Sequence, residues 1–513
     1  MFARVFSGGL IGVDAYCIEI EVDCGPGIGQ INLVGLPDAS VKESQDRVRS
    51  AIKACEFLVP YAKKWVVNLA PADTKKEGPA FDLPIAVGIL ASSSMIPTDH
   101  ISKFWLVGEL GLDGSVRPTS GVLPIALAAK SFGASGIILP QDNAEEAALV
   151  DGIKIFPVSH LKQVCQILEN PDLGAVFQTD ARENFRINQL NPKSGLDFCD
   201  VKGQVGAKRA LEIAAAGKHN IILVGPPGSG KSMLAQRMPG IMPPLSFEEA
   251  LELTKLYSVA GQLQNKAKLV LERPFRSPHH SASAIGLVGG GTNPKPGEIS
   301  LSHMGILFLD ELTEFPRAHL DTLRQPLENA NVTISRALQT LTYPAKFLLI
   351  GACNPCPCGY RGDTVKYCAC TPYQADRYWN RLSGPFLDRI DIHCNVARIP
   401  EADLLDVNPN RESSEDIRLR VMRAFDLQKE RCGNKPFVFN SELSQKQMVR
   451  HCKVNEPSRR ALARAVTSMG LSARAFDRLL RVARTIADLN ANQEIQLNDV
   501  LEAISYRCPV RAA

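Results

Sequence analysis

The segment at residues 225–232 has the composition and the context of a phosphate-binding loop. An apolar run, 221–224, predicts a buried strand before it, and Met233-Leu234-Ala235 predicts a helix after it. Its glycines allow backbone N–H groups to converge on phosphate oxygens, and a helix N-terminus adds partial positive charge. The loop predicted to bind ATP consists of Gly225, Pro226, Pro227, Gly228, Ser229, Gly230, Lys231 and Ser232.

Two residues of this loop carry the predicted chemistry. Lys231 is expected to reach the β- and γ-phosphates of ATP, and Ser232 is expected to offer its hydroxyl to Mg²⁺. The alternative is a glycine-rich turn without function. It does not explain why a strand, a lysine and a serine occur together in this order.

Polar residues follow two further apolar runs. Asp310 and Glu311 come directly after the run 305–309. Because ligands bind at the carboxyl ends of parallel strands, we expect Asp310 to hold Mg²⁺ through water and Glu311 to polarise the attacking water. The run 347–350 leads to Asn354, which is predicted either to orient that water or to form a turn before Pro355.

Two arginines are candidates for contacts with the γ-phosphate. Arg389, supplied to a neighbouring subunit, would stabilise the charge that spreads in the transition state. A salt bridge with Asp388 or Asp391 fits the spacing equally well. Arg474 lies nearest the start of a predicted arginine-rich helix, where the alternative is a solvated basic face.

Four cysteines form two C-x-C pairs separated by a short loop. Thiolates on two such knuckles suit tetrahedral Zn²⁺, although the usual spacing is C-x₂₋₄-C. We expect a structural zinc site, and leave out Cys353 as a buried thiol at a strand end. The predicted ligands are Cys356, Cys358, Cys368 and Cys370.

Two loop segments between these motifs carry basic side chains. Glycine and proline density marks residues 273–297 as an inserted loop or hairpin, and 332–343 is typical of a second hairpin. Such hairpins suit a DNA backbone in a ring pore, but packing against a neighbour or a protein substrate fits equally. The candidate DNA contacts are Arg276, His279, His280, Lys295 and Arg336.

The elements that must position these residues fall into four predicted parts. The first block, 1–168, mixes short strands and helices, and 169–200 has the composition of a linker. Residues 201–398 show the strand–loop–helix signals of a parallel α/β core that contains the hairpins and the cysteines. Residues 399–513 are mainly helical.

Length and charge limit the possible classes of protein. At roughly 150 residues per domain, 513 residues suggest about three domains. The net charge of +4 excludes a uniformly basic nucleic-acid coat, so a DNA-binding surface must be local. The sequence shows neither a signal peptide nor an apolar run long enough for a membrane span, and nine of its fourteen cysteines are scattered. We therefore expect a cytoplasmic protein with no membrane partner.

The chain resembles the ComM/YifB family of magnesium-chelatase-like AAA+ proteins over nearly its whole length. This resemblance implies an AAA+ core with a helical lid and an ATP-hydrolysing hexameric ring. It implies a branch-migration helicase that integrates single-stranded DNA in homologous recombination during natural transformation, with branched DNA and recombination proteins as partners. The resemblance rests on the phosphate loop and on segments 35–38, 68–72, 108–110, 276–280, 297–301, 353–359 and 384–391.

The same resemblance assigns roles to three residues that spacing left open. Asn354 becomes the first sensor, Arg389 the arginine finger and Arg474 the second sensor. A chelatase-like or chaperone-like remodeller of a protein complex remains the alternative function, because the magnesium-chelatase kinship permits it.

The first block also resembles the α+β proteolytic domain of Lon-type proteases. Lon carries its nucleophilic serine after Lys-Asp-Gly-Pro, whereas here Lys76-Glu77-Gly78-Pro79 is followed by Ala80. The segment that matches the catalytic lysine, 121–125, contains no lysine. Without nucleophile and base we expect no peptidase activity. We predict that this block is a scaffold for assembly or DNA engagement.

Overall fold

The structure is a computed structural model of the chain. It describes residues 2–58, 63–174, 176–177, 180, 182–183, 185–186, 195–263, 269–291, 294–335, 340–363, 365–400, 411–433 and 435–507. The strands, in chain order, are β1 (Phe2–Ile11), β2 (Asp14–Pro26), β3 (Ile31–Val34), β4 (Lys63–Ala70), β5 (Phe104–Leu106), β6 (Glu109–Leu110), β7 (Val116–Arg117), β8 (Gly136–Pro140), β9 (Lys154–Val158), β10 (Ile221–Val224), β11 (Phe275–Arg276), β12 (Gly289–Gly290), β13 (Lys295–Pro296), β14 (Ile306–Leu309), β15 (Asn331–Ser335), β16 (Thr340–Pro344), β17 (Leu348–Cys353) and β18 (Ile392–Asn395).

The α-helices, in chain order, are α1 (Ala39–Ala54), α2 (Asp82–Ser92), α3 (Val122–Ser131), α4 (Ala144–Ala147), α5 (Leu161–Glu169), α6 (Val205–Gly217), α7 (Lys231–Gln236), α8 (Met238–Ile241), α9 (Phe247–Ala260), α10 (Ala284–Val288), α11 (Glu298–Leu301), α12 (Arg317–Thr322), α13 (Arg324–Asn329), α14 (Pro372–Trp379), α15 (Gly384–Leu387), α16 (Ser414–Cys432), α17 (Gln445–His451), α18 (Glu456–Met469), α19 (Ala473–Leu489) and α20 (Leu497–Ser505). No helix among these is long and apolar enough to cross a membrane.

The chain divides into two compact units. Unit 1 comprises Met1–Asn191 and Ser246–Leu271, and unit 2 comprises Pro192–Leu245 and Glu272–Ala513. The division expected from the sequence places 246–271 in the α/β core, whereas the structure packs this segment into unit 1. The four-part division by function otherwise stays a prediction.

Helix α9 explains why the segment 246–271 belongs to unit 1. Its ends are marked locally, by a capping box between Ser246 and Glu249 and by Gly261 in the left-handed conformation. Ser258 near its end accepts a backbone hydrogen bond from Gly121 at 3.1 Å. The Ser258 hydroxyl also donates to the buried carboxylate of Glu146. These contacts depend on residues more than a hundred positions away, so no local pattern predicts them.

Unit 1 is built around a seven-stranded mixed sheet in the order β3-β4-β2-β1-β5-β8-β9. Strands β1, β2 and β4 pair antiparallel, and the other neighbours in the sheet pair parallel. Helix α2 is buried along its whole length. Its first residue, Asp82, is neutralised by two hydrogen bonds from Arg47, at 2.7 and 3.1 Å. This is the α+β architecture that the sequence predicts.

Unit 2 contains a five-stranded parallel sheet in the order β11-β14-β17-β10-β18. All residues of β10, β14 and β17 are buried, as expected for strands covered on both faces. The predicted parallel α/β fold is therefore confirmed. Because β17 lies between β10 and β14, the residues that follow these three strands meet at one edge.

The helical part of unit 2 packs along α19. Its apolar side chains Leu479, Val482 and Ile486 are buried in the same core as the sheet. A polar network closes this core: Asp488 receives hydrogen bonds from Arg431 at 2.7 Å and from Arg484 at 3.0 Å. The side chains of Arg484 and Asp488 are both buried, and each neutralises the charge of the other.

Asp391 joins α19 to the strand β18. Its carboxylate accepts hydrogen bonds from the backbone of Asn220 at 3.0 Å and from Arg478 at 2.7 Å. Burial alone would raise the pKa of Asp391, but the His219 ring, whose Nδ1 lies 3.7 Å from the carboxylate, and the charge of Arg478 outweigh it. The pKa of this carboxyl is held well below its usual value.

We expect Asp391→Asn to lower the free energy of unfolding of unit 2 by about 3 kcal/mol, because it leaves the partly buried guanidinium of Arg478 without its charged partner. Since the folded pKa is depressed, the stabilisation is present above the unfolded pKa of about 4 and is lost as the pH falls below it. Urea denaturation at pH 7 and at lower pH measures this. The control is Glu456→Gln, which removes an exposed pair with Arg460. An equal loss in both variants would contradict the prediction.

Candidate functional site

The phosphate loop is shaped by glycines at its two ends. A Cβ on Gly225 would lie 2.1 Å from the carbonyl oxygen of Val396, so only glycine fits after β10. Gly228 and Gly230 have φ values of 76° and 90°, a region that favours glycine. The loop thus turns sharply and leads directly into α7, which begins at Lys231.

Four of the predicted residues lie together at the edge of the sheet. Lys231 follows β10, Asn354 follows β17, and Asp310 follows β14. The Lys231 amine donates to Asn354 Oδ1 at 3.3 Å. The hydroxyl of Ser232 donates to Asp310 Oδ2 at 2.7 Å. An amine, a hydroxyl, a carboxylate and an amide therefore converge beside the phosphate loop.

Lys231 is held inside its own loop. Its amine also donates to the backbone oxygens of Gly225 at 2.7 Å and Pro226 at 2.9 Å. Burial lowers the pKa of Lys231, while the charge of the neighbouring Asp310 opposes this effect. Burial raises the pKa of Cys353 to about 12, so its thiol stays neutral beside the amine.

Glu311 has a different surrounding from Asp310. It adopts a left-handed backbone conformation, with φ 50°, and its N–H donates to Asp310 Oδ1 at 2.9 Å. Its carboxylate lies 3.3 Å from Nδ1 of His280. The His280 ring is in turn stacked on His279, with centroids 4.1 Å apart. The acid predicted to polarise water is thus in contact with one of the residues predicted to bind DNA.

The residues around the loop fit a bound nucleotide with Mg²⁺. The hydroxyl of Ser229 is buried, and no group within the described ranges forms a hydrogen bond with it. The backbone of the same residue is anchored by Gln204, which donates to the Ser229 oxygen at 3.0 Å and to the Ala397 oxygen at 2.7 Å. Ser232 and Asp310 supply the oxygen ligands that Mg²⁺ prefers.

The two predicted arginines meet at a carboxylate that the sequence analysis did not single out. Arg389 Nη2 lies 2.5 Å from Glu328 Oε1, and Arg474 Nη1 lies 3.9 Å from the same oxygen. Spacing in the sequence suggested Asp388 or Asp391 as the salt-bridge partner of Arg389. Among the described residues, neither acid forms an ion pair with it. No local signal marks Glu328, since it lies 61 positions from Arg389.

Arg478 is a structural residue of the same region. It donates to the backbone oxygen of Arg389 at 2.7 Å and to Asp391 at 2.7 Å. Helix α19 thereby fixes the loop that carries Arg389. Arg478 lies one helical turn after Arg474, yet it is half-buried whereas Arg474 is exposed.

The four predicted zinc ligands form one cluster. Their sulfur atoms all lie within 4.8 Å of one another. The Sγ atoms of Cys356 and Cys368 are 3.6 Å apart, as are those of Cys358 and Cys368. Tetrahedral Zn²⁺ with bonds of about 2.3 Å requires sulfur separations of about 3.8 Å. Thiolates in this arrangement fit that geometry.

One thiol of the cluster ionises readily. Burial opposes ionisation of Cys358, but hydrogen bonds from the Tyr360 backbone and from Cys356 lower the pKa of its thiol to about 6. The cluster also lies against the nucleotide site: a Cβ on Gly359 would be 2.6 Å from Cδ of Pro227 in the phosphate loop. The loop that carries the cysteines therefore supports one side of the phosphate loop.

Both predicted hairpins are present in unit 2. Strands β12 and β13 pair antiparallel, and so do β15 and β16. Lys295 is exposed on the first hairpin. Arg276 precedes it and is held by Glu298, with contacts of 2.7 and 2.5 Å. Arg336 lies outside the described residues.

In the Lon-like region of unit 1, the side chain of Lys76 forms hydrogen bonds with the backbone of its own segment. Lys76 is buried and donates to the backbone oxygens of Pro71 and, at 2.7 Å, of Thr74. Ala80 offers no nucleophile where the Lon pattern has serine. Gly121 directly precedes helix α3. These contacts stabilise the fold of unit 1.

Comparisons with known proteins agree with this architecture. Three family models match: magnesium chelatase subunit ChlI at residues 197–404, subunit ChlI of Mg-chelatase at 20–143, and the C-terminal part of that subunit at 411–507. The competence protein ComM of Haemophilus influenzae is 44% identical over 99% of this chain and 98% of its own.

Two further relatives complete the comparison. The protein YifB of Escherichia coli is 44% identical over 97% of this chain and 95% of its own. Lon protease 2 of Bacillus subtilis is 28% identical over 30% of each chain. The first two relatives extend over both units, and the expectation drawn from the motifs is confirmed. The chain belongs to the ComM/YifB family of magnesium-chelatase-like AAA+ proteins.

Proposed function

We propose that this AAA+ protein is an ATP-driven hexameric DNA motor. It acts as a branch-migration helicase that promotes integration of single-stranded DNA in homologous recombination during natural transformation. The observation that carries the proposal is the convergence of Lys231, Ser232, Asp310 and Asn354 at one edge of the parallel sheet. The name of the H. influenzae relative, a competence protein, supports the biological setting.

The chemistry proposed for the site is hydrolysis of ATP. Lys231 binds the β- and γ-phosphates, and Asn354 contacts the γ-phosphate or the attacking water. Glu311 polarises that water once its carboxylate leaves His280. Ser232 and Asp310 hold Mg²⁺, which when bound neutralises charge on the terminal phosphates.

A ring is supported by the position of the arginines. Within the described ranges, Arg389 and Arg474 make their ion pairs with Glu328 and not with the acids of their own nucleotide site. In the proposed ring, Arg389 acts on ATP bound by the neighbouring subunit. Such a finger stabilises the charge of the transition state.

The DNA contacts are proposed for the exposed parts of the hairpins and for a local basic surface. Residues 411–507 contain eighteen Lys and Arg against twelve Asp and Glu, although the whole chain carries only +4. We propose that His279, Lys295 and Arg336 contribute, and that Arg276 does so only if it leaves Glu298. Contacts of this kind go mainly to the phosphate backbone, so little base specificity is expected.

We also propose that the cysteine cluster binds one structural Zn²⁺ ion. The four sulfurs all lie within 4.8 Å of one another, so one ion could bind all of them, and no further ligand position is implied. The metal would hold residues 356–370 in the shape that supports Pro227.

The alternative is a chelatase-like or chaperone-like remodeller of a protein complex. The matches to magnesium chelatase models favour it, since their description names no DNA. In that case unit 1, which we expect to have no peptidase activity, serves as a protein-binding scaffold in the cytoplasm. Activity on branched DNA separates the two proposals.

The wild-type protein should hydrolyse ATP faster with DNA and should move a branched junction in a purified assay. Lys231→Ala should reduce turnover by about 100-fold or more, because the phosphate charge loses its main partner. Lys453→Ala, which changes an exposed lysine in the helical region, serves as the control for turnover without DNA. Normal turnover in Lys231→Ala would refute the site, whereas ATP hydrolysis indifferent to DNA would favour the remodeller.

Arg389→Ala should fold and assemble but hydrolyse ATP poorly. Glu311→Gln should also be slow, because it lacks the acid that polarises water. In mixed rings the Glu311→Gln subunits supply the missing finger to intact sites, so part of the turnover should return. Turnover is measured across mixing ratios, with each variant alone as the baseline. No recovery at any ratio would count against action between subunits.

Purified protein should contain about one zinc per chain. The double variant Cys356→Ser/Cys368→Ser should lose the metal, whereas Cys432→Ser, outside the cluster, should keep it. Metal analysis by mass spectrometry and a thermal melt measure both effects. Wild-type protein that is folded yet free of metal would end the zinc proposal without affecting the ATP site.

A further inference from the structure

We propose that Glu328 is a switch residue that holds Arg389 and Arg474 in an inactive arrangement and releases them when the β15–β16 hairpin moves. Through this contact, DNA on the hairpin would control ATP hydrolysis at the neighbouring subunit. The inference rests on the proposed function and deepens it by naming how the two activities are coupled.

The first support is the geometry of the ion cluster. One carboxylate oxygen of Glu328 faces two guanidinium groups, at 2.5 Å for Arg389 and 3.9 Å for Arg474. A site with two positive groups and one carboxylate keeps an excess of positive charge. An anion of higher charge, such as a terminal phosphate, therefore competes well with Glu328 for both arginines.

The second support is the unequal exposure of the three side chains. Arg389 is 11% exposed, Glu328 45% and Arg474 78%. Nε of Arg389 is buried, and no described residue accepts a hydrogen bond from it. Nη1 of Arg389 donates to the Pro385 oxygen at 2.5 Å, and among the described residues Glu328 is the one charged partner of this side chain. It restrains this side chain more firmly than an ordinary surface pair would.

The third support is the place of Glu328 in the chain. It lies on α13, which ends at Asn329, and β15 of the hairpin begins at Asn331. Ala330 between them has a left-handed conformation, and its oxygen accepts a hydrogen bond from Ala345 at 2.8 Å. That bond closes the base of the hairpin. A displacement of the hairpin is transmitted to Glu328 across two residues, Asn329 and Ala330.

Three elements therefore meet at this carboxylate: the hairpin through α13, the finger loop after α15, and helix α19 through Arg474. Arg478 and Asp391 hold the backbone of the loop that carries Arg389 in place, while the side chain of Arg389 changes its partner. The rearrangement needs only side-chain rotation of Arg389 and Arg474 and a small shift of α13.

The test compares full-length Glu328→Gln with wild type in ATPase assays with and without single-stranded DNA. The variant keeps the shape of the side chain but loses its charge. We expect the DNA-free kcat to rise about two- to fivefold, the effect of losing one partly exposed ion pair. KM for ATP should change little, and the ratio of DNA-stimulated to DNA-free rate should fall toward one. Glu328→Asp should behave as wild type.

The matched control is Glu456→Gln, which removes another helical Glu–Arg pair, with Arg460. It should leave both rates unchanged. A thermal melt of each variant checks folding, and Glu328→Ala repeats the test if the glutamine variant is unstable. An unchanged or reduced DNA-free rate in Glu328 variants that are folded overturns the inference, while an inactive Lys231→Ala still upholds the ATP site. If wild type itself ignores DNA, the proposed function fails, and the DNA-free rate alone tests the restraint.

Discussion

The order of the five parallel strands is the constraint on which the nucleotide site depends. Because β17 is hydrogen-bonded between β10 and β14, the end of β17 must lie between the phosphate loop and the acids. Asn354 therefore reaches Lys231, and the neighbouring Ser232 reaches Asp310. Any change of strand order would separate these groups, however well each local motif was kept.

Much of this site can be predicted from the sequence, because its parts are local. A buried run, a glycine loop and a lysine specify a phosphate loop within residues 221–232, and each acid is marked by the strand before it. The partner of Arg389 could not be predicted. From spacing, Asp388 or Asp391 fitted as partners, but Asp391 is bound by Arg478, 87 positions away. Only the packing of α19, which places Arg478 on Asp391, decides which acid remains for Arg389.

The cysteine cluster shows the same division between local and long-range information. The two C-x-C pairs depart from common zinc spacing, and yet the fold brings their four sulfurs together. The contact between the cysteine loop and the phosphate loop cannot be predicted from the cysteine motif, because it depends on the packing of Gly359 against Pro227. The loop that carries the cysteines is remote from the phosphate loop in sequence, yet it packs against it in the fold.

The helix α9 has a consequence for how the protein can be divided. The chain passes from one unit to the other three times, after residues 191, 245 and 271. Removing the first 191 residues would leave α9 attached to the remaining chain. Leu253 and Leu256, which are buried in the full chain, would then become exposed to solvent. Such a truncated ATPase would carry a new apolar surface and tend to aggregate. Unit 1 therefore cannot be removed by a single cut in the chain, because one of its helices lies within the sequence of unit 2.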